Sequence, residues 1–345
     1  ICVWRSENGG SNWSLNGHWV TWAGEFTADR YTHADVHDIQ FFTRTDGTVD
    51  MWVASDGGLY YSADEGDHME PRMYGLHGTD FWGWQSGWRG PDVMVGGTYH
   101  NGTLIRNADL YHWGADEDSS GGWLAELAGD NYRGFINPGD ATRGYHDGGA
   151  FRFTNDRFDR IDAMPFDGSK KPNTAYWFGE YGNLEWDPTC YNCMYSPVGS
   201  ELWYSEDGGA SWVLVNDFGG EKIISVKVSP CDHNRIYVSH KQSGSLWRVH
   251  RSTDGGATWE LASPTPGENG NNNNQPIYLD VDGTNPDKLW CVLTGNQNGY
   301  KILRSEDAGE TWEDWSTATI TGQRVVSLAH QRGTNGGVYI GTTQA

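Results

Sequence analysis

The sequence predicts an all-β fold, a seven-bladed β-propeller with four-stranded antiparallel blades. Three observations predict it: an eight-residue motif recurring along the whole chain, strand-and-turn patterning between its copies, and a glycine- and aromatic-rich composition. The 345 residues include 47 Gly, 19 Trp and 17 Tyr, with hydrophobics at only 37%. That balance suits many short strands joined by tight turns, and suits neither a helical bundle nor a disordered chain.

The motif reads Ser-x-Asp-x-Gly-x-Ser/Thr-Trp. It is clean as SEDGGASW at 205–212, STDGGATW at 252–259 and SEDAGETW at 305–312. Looser copies are SENGGSNW at 6–13 and SADEGDHM at 62–69. The long gap between 62 and 205 is close to three periods of about 48 residues, so two eroded copies are expected within it. RNADLYHW at 106–113 and the segment around Phe153–Asp156 stand where they should. Seven units result. Within each octet the glycine supplies a turn with φ > 0, and the acid and hydroxyl accept backbone N–H groups. The closing tryptophan packs beneath the turn. Asn8, Asp64, Asp207, Asp254 and Asp307, with Trp13, Trp212, Trp259 and Trp312, are therefore assigned to structure and not to chemistry.

Between octets the chain alternates strands and turns. In the sixth unit, 223–230 and 235–242 read as first and second strands, 246–252 as the third, and 258–262 as the fourth. Enrichment in Val, Ile, Tyr and Trp, punctuated by Asp-Gly and Gly-Gly, is the physical signal. Four antiparallel strands per repeat is blade arithmetic. The end of the chain supplies first and second strands (325–331 and 337–343) without a third. Its beginning supplies a third and fourth without a first. Joined, they would form one closing blade shared by both termini and remove the free sheet edges. Residues 1–345 are thus expected to form a single domain. No leader peptide precedes the first strand, so the chain is expected to be processed or an excerpt of a longer protein.

These octets resemble the Asp-box, or BNR, repeats of sialidases, xyloglucanase-type glycosidases, sortilin-like receptors and secreted bacterial proteins. The stretch from His33 to Gly66 is most similar to the secreted, sortilin-like bacterial group. The resemblance implies an extracellular or cell-surface setting, with further domains in the same polypeptide. It does not choose between catalysis and binding, because the architecture hosts both.

Charge and cysteines narrow the field. With 46 Asp+Glu against 24 Lys+Arg the net charge is −22, the wrong sign for a phosphate backbone, so no nucleic-acid partner is expected. No apolar run approaches the roughly 20 residues that span a bilayer. Cys190 and Cys193 form a CxxC in a loop-like context. A local disulfide is the preferred reading, ahead of two free thiols and of a redox or metal role.

Candidate contacts follow from blade geometry. Loops leading into the innermost strand, and loops joining second to third strands, are expected on one rim. There the sequence places His33, Asp35, His37 and Asp38, then Tyr99, His100 and Asn101, then His146 and Asp147, and Glu180. Asp130 precedes the blade containing His146. In an extended chain His33, Asp35 and His37 alternate onto one side. Three readings stand side by side: a divalent cation (Ca, Zn or Mn) on His33, Asp35 and His37, a glycan or protein ligand, and simple loop-tying hydrogen bonds. For a glycan, Trp82, Trp84, Trp177 and Trp186 are candidate stacking surfaces. No cofactor is required by any motif. The expected function is non-enzymatic recognition or scaffolding. The alternative is a xyloglucanase-like hydrolase with an acid pair drawn from Asp35, Asp38, Asp147 and Glu180. A sialidase-like site is less favoured: Arg133, Arg160 and Arg324 fall near inner strands, but the Arg-Ile-Pro motif is absent.

Overall fold

The computed structural model describes residues 3–18, 28–72, 81–87, 93–98, 102–107, 123–126, 133–146, 149–153, 161–171, 184–242, 246–263, 277–294, 300–334 and 336–342. The chain falls into two compact units, Ile1–Asp80 and Phe81–Ala345. In the first, β1 (Val3–Arg5) and β2 (Ser14–Gly17) form an antiparallel hairpin. A four-stranded antiparallel meander follows: β3 (Val36–Thr43), β4 (Val49–Ser55), β5 (Gly58–Ser62) and β6 (Glu70–Pro71). Val3 packs against Met51, Val53, Tyr60 and Met69 to form this unit's core.

The second unit contains five more meanders, each running from first to fourth strand in chain order. They are β7 (Phe81–Ser86), β8 (Val93–Thr98), β9 (Thr103–Asn107) and β10 (Trp123–Glu126); then β11 (Phe135–Ile136), β12 (Arg143–His146), β13 (Gly149–Phe153) and β14 (Ile161–Met164). Next come β15 (Glu185–Asp187), β16 (Cys190–Val198), β17 (Glu201–Ser205) and β18 (Val213–Asp217). The fourth is β19 (Lys222–Ser229), β20 (Asp232–Gln242), β21 (Leu246–Ser252) and β22 (Glu260–Leu261). The fifth is β23 (Ile277–Val281), β24 (Leu289–Leu293), β25 (Ile302–Ser305) and β26 (Glu313–Asp314). A last hairpin pairs β27 (Val325–His330) with β28 (Val338–Thr342).

Each octet occupies the turn from a third to a fourth strand, or that turn's equivalent between β1 and β2. Of the eroded copies, residues 108–113 and 154–156 lie outside the described residues. In the sixth unit the fourth strand is shorter than its sequence suggests. Thr258 N donates to Asp254 and Trp259 Nε1 donates to Gly256 O, so both residues belong to the octet and only Glu260–Leu261 are left to pair.

The core lies between successive sheets. Val93, Val95 and Ile105 meet Ile136 and Phe151; Phe135 and Tyr145 meet Trp186 and Met194. Leu202 meets Ile223, Val226 and Ile236; Tyr237 and Val249 meet Ile277 and Leu289. Val292 and Ile302 meet Val325. Each such burial is worth about 1.5–3 kcal/mol, so in this unit every sheet depends on the next for its stability.

The octets show why their residue types recur. Ser205 Oγ accepts the Gly209 N–H at 2.8 Å and donates to Asp207 Oδ1 at 2.9 Å. Asp207 in turn accepts from Ser211 N at 2.8 Å and Ser211 Oγ at 2.6 Å. Trp212 Nε1 closes on Gly209 O at 2.8 Å. Gly209 has φ +94°, and a Cβ there would stand 2.5 Å from the Phe166 ring; conformation and space both require glycine. Octets also fasten to their own sheets: Gly208 N donates to Asn192 O, Gly255 N to Asn234 O, and Ala308 N to Asp287 O. They therefore share a sheet end with the first-to-second-strand turns. In the first copy Asn8 replaces the acid and accepts Asn12 N at 2.8 Å, while Trp13 is left 61% exposed.

Candidate functional site

In the first unit, Asp35 has φ +57°. A left-handed residue breaks the extended chain, so the alternation expected to bring His33, Asp35 and His37 onto one side does not hold. His33 Nδ1 lies 3.2 Å from Ala34 O, and its ring lies over Gly57. His37 Nε2 donates to Asp56 Oδ1. Asp56 N donates to Asp35 O at 3.3 Å, so the loop leading into β3 does meet the turn between β4 and β5. Asp38 accepts from Ile39 N at 2.9 Å and from Gln40 Nε2, bonds within its own strand. Among the described residues no three His, Cys, Asp or Glu side chains gather as metal ligands.

In the second unit, Tyr99, His100, Asn101, Asp130, Asp147, Trp177 and Glu180 lie outside the described residues. His146 ends β12 and stacks on Phe151 at 5.3 Å; burial pushes its pKa down to about 4. Trp186 is 4% exposed among Phe135, Tyr145 and Met194. That environment corrects the expectation of a sugar-stacking face, because no face is open. Trp84 on β7 does stand exposed. Cys190 and Cys193 are joined by a disulfide.

The inner strands of this unit bring together a set of side chains that the sequence reading passed over. Lys227 Nζ lies 3.8 Å from Glu185 Oε2 and 3.7 Å from Asp280 Oδ1. The three belong to the first strands of three consecutive sheets. Each stands two residues before the polar residue that caps the following turn. Asp187 accepts Thr189 N, Ser229 accepts Cys231 N, and Asp282 accepts Thr284 N. Residues two apart on a strand share a face, so this repeated register aims the charges the same way from each sheet. Arg133, before β11, and Tyr278 on β23 interact electrostatically, and Arg133 also feels Glu185. Arg332, beyond β27, acts on both Glu185 and Lys227. Gly83 on β7 leaves room for the Arg133 stem; a Cβ there would come 2.5 Å from Arg133 Cγ.

The cluster is partly accessible: Lys227, Glu185 and Asp280 keep 29%, 19% and 19% of their side chains exposed. Burial raises the Glu185 carboxyl pKa, with Lys227 opposing it. Burial also works against the Lys227 charge, but Glu185 and Asp280 overcome it and hold the ammonium pKa above its ordinary value. The Arg133 pKa is lowered by burial. Chemically, the set can grip and orient a charged group. Its two carboxylates are spanned by an ammonium, which stands where the substrate of an acid pair would have to lie.

Residues 200–335 match the family model Sortilin-Vps10, described as sortilin, neurotensin receptor 3; the match covers less than half of the chain. No curated protein matches the sequence. Among solved structures the chain is similar to an ancestral GH74 enzyme, with 13% identity over 90% of this chain and 43% of that one, at a TM-score of 0.51. It thus spans less than half the length of that enzyme. Other likenesses are YCF48 bound to D1 peptide, at 17% identity over 87% of this chain and 88% of that one, TM-score 0.46. A third is Sqt1 of Chaetomium thermophilum bound to the N-terminus of ribosomal protein L10, at 11% over 86% and 79%, TM-score 0.44. With the sheet order and the core between successive sheets, the GH74 likeness makes this a β-propeller fold, and residues 200–335 are similar to the sortilin family model.

Proposed function

We propose that this chain is a recognition propeller of a secreted or cell-surface protein, a binding domain and not a hydrolase, whose ligand is a glycan or a protein. Lys227 carries the reading. Paired hydrolytic carboxylates stand roughly 5–9.5 Å apart with substrate or water between them, whereas here an ammonium holds Glu185 and Asp280 together. Asp38, the candidate acid whose carboxylate contacts are resolved, is committed to Ile39 and Gln40. An oxidising, extracytoplasmic setting is supported by the Cys190–Cys193 disulfide and by the partial sortilin match. Among the described residues no helix is long and apolar enough to cross a membrane. The proposal extends to seven blades, with the β1–β2 and β27–β28 hairpins as halves of one closing blade. One octet or eroded copy per unit supports that count, and an experimental structure with another number of blades would overturn it.

Glycan-array screening and pull-down with the intact chain are expected to return a ligand, and digests of xyloglucan and related polysaccharides to show no turnover. Turnover that disappears in Asp35→Asn, Asp38→Asn, Asp147→Asn or Glu180→Gln would replace this reading with a glycoside hydrolase.

A further inference from the structure

We propose that the turn joining β15 to β16 is a redox-operated clasp: the Cys190–Cys193 disulfide fixes the seat of the preceding sheet, and a thiol reductant releases it. The inference goes beyond recognition and holds whether the ligand is a glycan or a protein.

Four successive sheets, from β11 to β26, can be compared at the turn between their first and second strands. In three of them the turn is closed by a hydrogen bond. Asp140, Asp232 and Asn285 each accept the backbone N–H two residues on, from Thr142 at 3.0 Å, Asn234 at 3.1 Å and Asp287 at 3.0 Å. Three residues after each acceptor stands a cation: Arg143, Arg235 and Lys288, two positions before the buried Tyr145, Tyr237 and Trp290. Arg143 donates to Asn192, and Arg235 pairs with Asp287 at 2.8 Å, each in the turn of the following sheet. In the β15–β16 turn both positions are cysteine. Cys190 stands in the acceptor's place, and Cys193, two before the buried Tyr195, in the cation's place. They are joined to each other. A reducible covalent bond thus replaces a hydrogen bond that no redox agent can touch. A thiol is only a weak acceptor, so the reduced turn loses the closure that the other three keep.

The two enclosed residues carry contacts from two directions. Tyr191 O accepts Asn137 Nδ2 at 2.5 Å, and the Tyr191 ring lies against Gly139, where a Cβ would stand 1.9 Å from Tyr191 Cγ. The Asn192 side chain accepts from Arg143, and its carbonyl accepts Gly208 N at 2.9 Å. The turn therefore ties the β11–β12 turn of the preceding sheet to the octet of its own sheet. Stabilisation by a crosslink grows with the length of loop it closes, and this one joins residues only three positions apart. Its effect is on the shape of the turn more than on the stability of the whole chain.

Cys193 is buried and Cys190 half-buried, so a dithiol reductant enters at Cys190. Its thiolate attacks Cys190 Sγ, the S–S bond breaks, and Cys193 leaves as a thiolate that takes up a proton. The reductant's second thiolate then attacks its own sulfur in the mixed disulfide and releases Cys190. The protein gains two electrons and two protons, and the reductant departs as a disulfide.

The test is hydrogen exchange read by mass spectrometry on the intact chain, oxidised, treated with millimolar dithiothreitol at pH 8, and as Cys190→Ser/Cys193→Ser. Peptides over 137–143 and 205–212 should exchange about tenfold faster in the reduced chain and in the variant. Oxidised glutathione should restore the slower rate in the wild type. Peptides over 252–259 and 305–312, whose octets rest on Asn234 and Asp287, should not change. If the serine variant fails to fold, reduction of the folded wild type decides alone. A second variant, Cys190→Asp/Cys193→Arg, restores the parts of the other turns and should keep the slow rates with or without dithiothreitol. The proposal is overturned by a disulfide that dithiothreitol leaves intact in the folded chain, or by unchanged exchange at 137–143 and 205–212. Equal acceleration in all four peptides would also overturn it, leaving an ordinary stabilising crosslink.

Discussion

In the octets the serine is harder to replace than the aspartate. Ser205 is 1% exposed, and its hydroxyl takes the Gly209 N–H at 2.8 Å where no water can substitute. Ser62, Ser252 and Ser305 repeat that bond at the same length to Gly66, Gly256 and Gly309. Asp207 bonds instead to the exposed Ser211, so water can stand in for its carboxylate. Leaving a buried N–H without an acceptor costs about 1–3 kcal/mol, whereas losing a solvated bond costs about 0.5–1.5 kcal/mol. Ser205→Ala should therefore lower the denaturation midpoint more than Asp207→Ala in parallel urea titrations, and the reverse order would refute this division of roles. The acids themselves resist protonation. Hydrogen bonds from Thr258 and Ser252 hold the Asp254 carboxyl at about 2. With its folded pKa below the unfolded value of 3.8, its contribution is complete above that value and is lost only as pH falls toward 2.

Between elements, the pairing of β20 with β21 brings His240 and His250 to 5.0 Å between ring centroids. Phe218, just beyond β18, lies 5.3 Å from both, and Trp259 closes the group against Phe218 at 4.9 Å. His240 is 1% exposed, with the Gly219 backbone beside its ring. Burial, with His250 and then Arg248 adding to it, pushes its pKa down to about 4; burial lowers that of His250 too, with Arg248 adding. The folded state therefore keeps these imidazoles neutral while the unfolded chain protonates them near 6.5. Stability is full above that value and falls as pH drops toward 4, by about 2 kcal/mol for His240 alone at pH 4.5. Melting temperatures from pH 7.5 to 4.5 should fall less steeply in His240→Gln than in wild type; identical slopes would reject this account. Legibility divides along the same physical line. The octets and the strands of the sixth unit could be read in the sequence because their bonds join residues a few positions apart. The register of Glu185, Lys227 and Asp280 could not, because it exists only when three sheets separated by some 40–50 residues pack side by side. The recurring pattern that marks it, a charge two residues before a polar-capped turn, is visible only once the turns are known. Asp35 and Trp186 misled for opposite reasons: one depends on a backbone angle, and the other on which face of β15 is covered.

For the whole molecule, the question is which of two electrostatic effects dominates. The 24 basic residues can neutralise at most 24 of the 46 acids, so at least 22 carboxylates repel one another without a counter-charge. Against this stand ion pairs such as Arg30–Asp67, Arg251–Glu260 and Arg304–Glu313, in which at least one partner is well exposed. Exposed pairs are worth about 0–1 kcal/mol each, and added salt weakens them. The same salt screens the repulsion, which acts over longer distances and among more groups, and at 0.1 M cuts its range to about 10 Å. Repulsion should therefore be the larger loss. Raising sodium chloride from 20 to 500 mM at pH 7 should raise the melting temperature by about 1–3 °C, the equivalent of one or two kcal/mol in a chain of this size. A fall would mean that the local pairs outweigh the excess charge. Because this stabilisation comes from ionic strength alone, it should be the same in Glu185→Gln as in wild type.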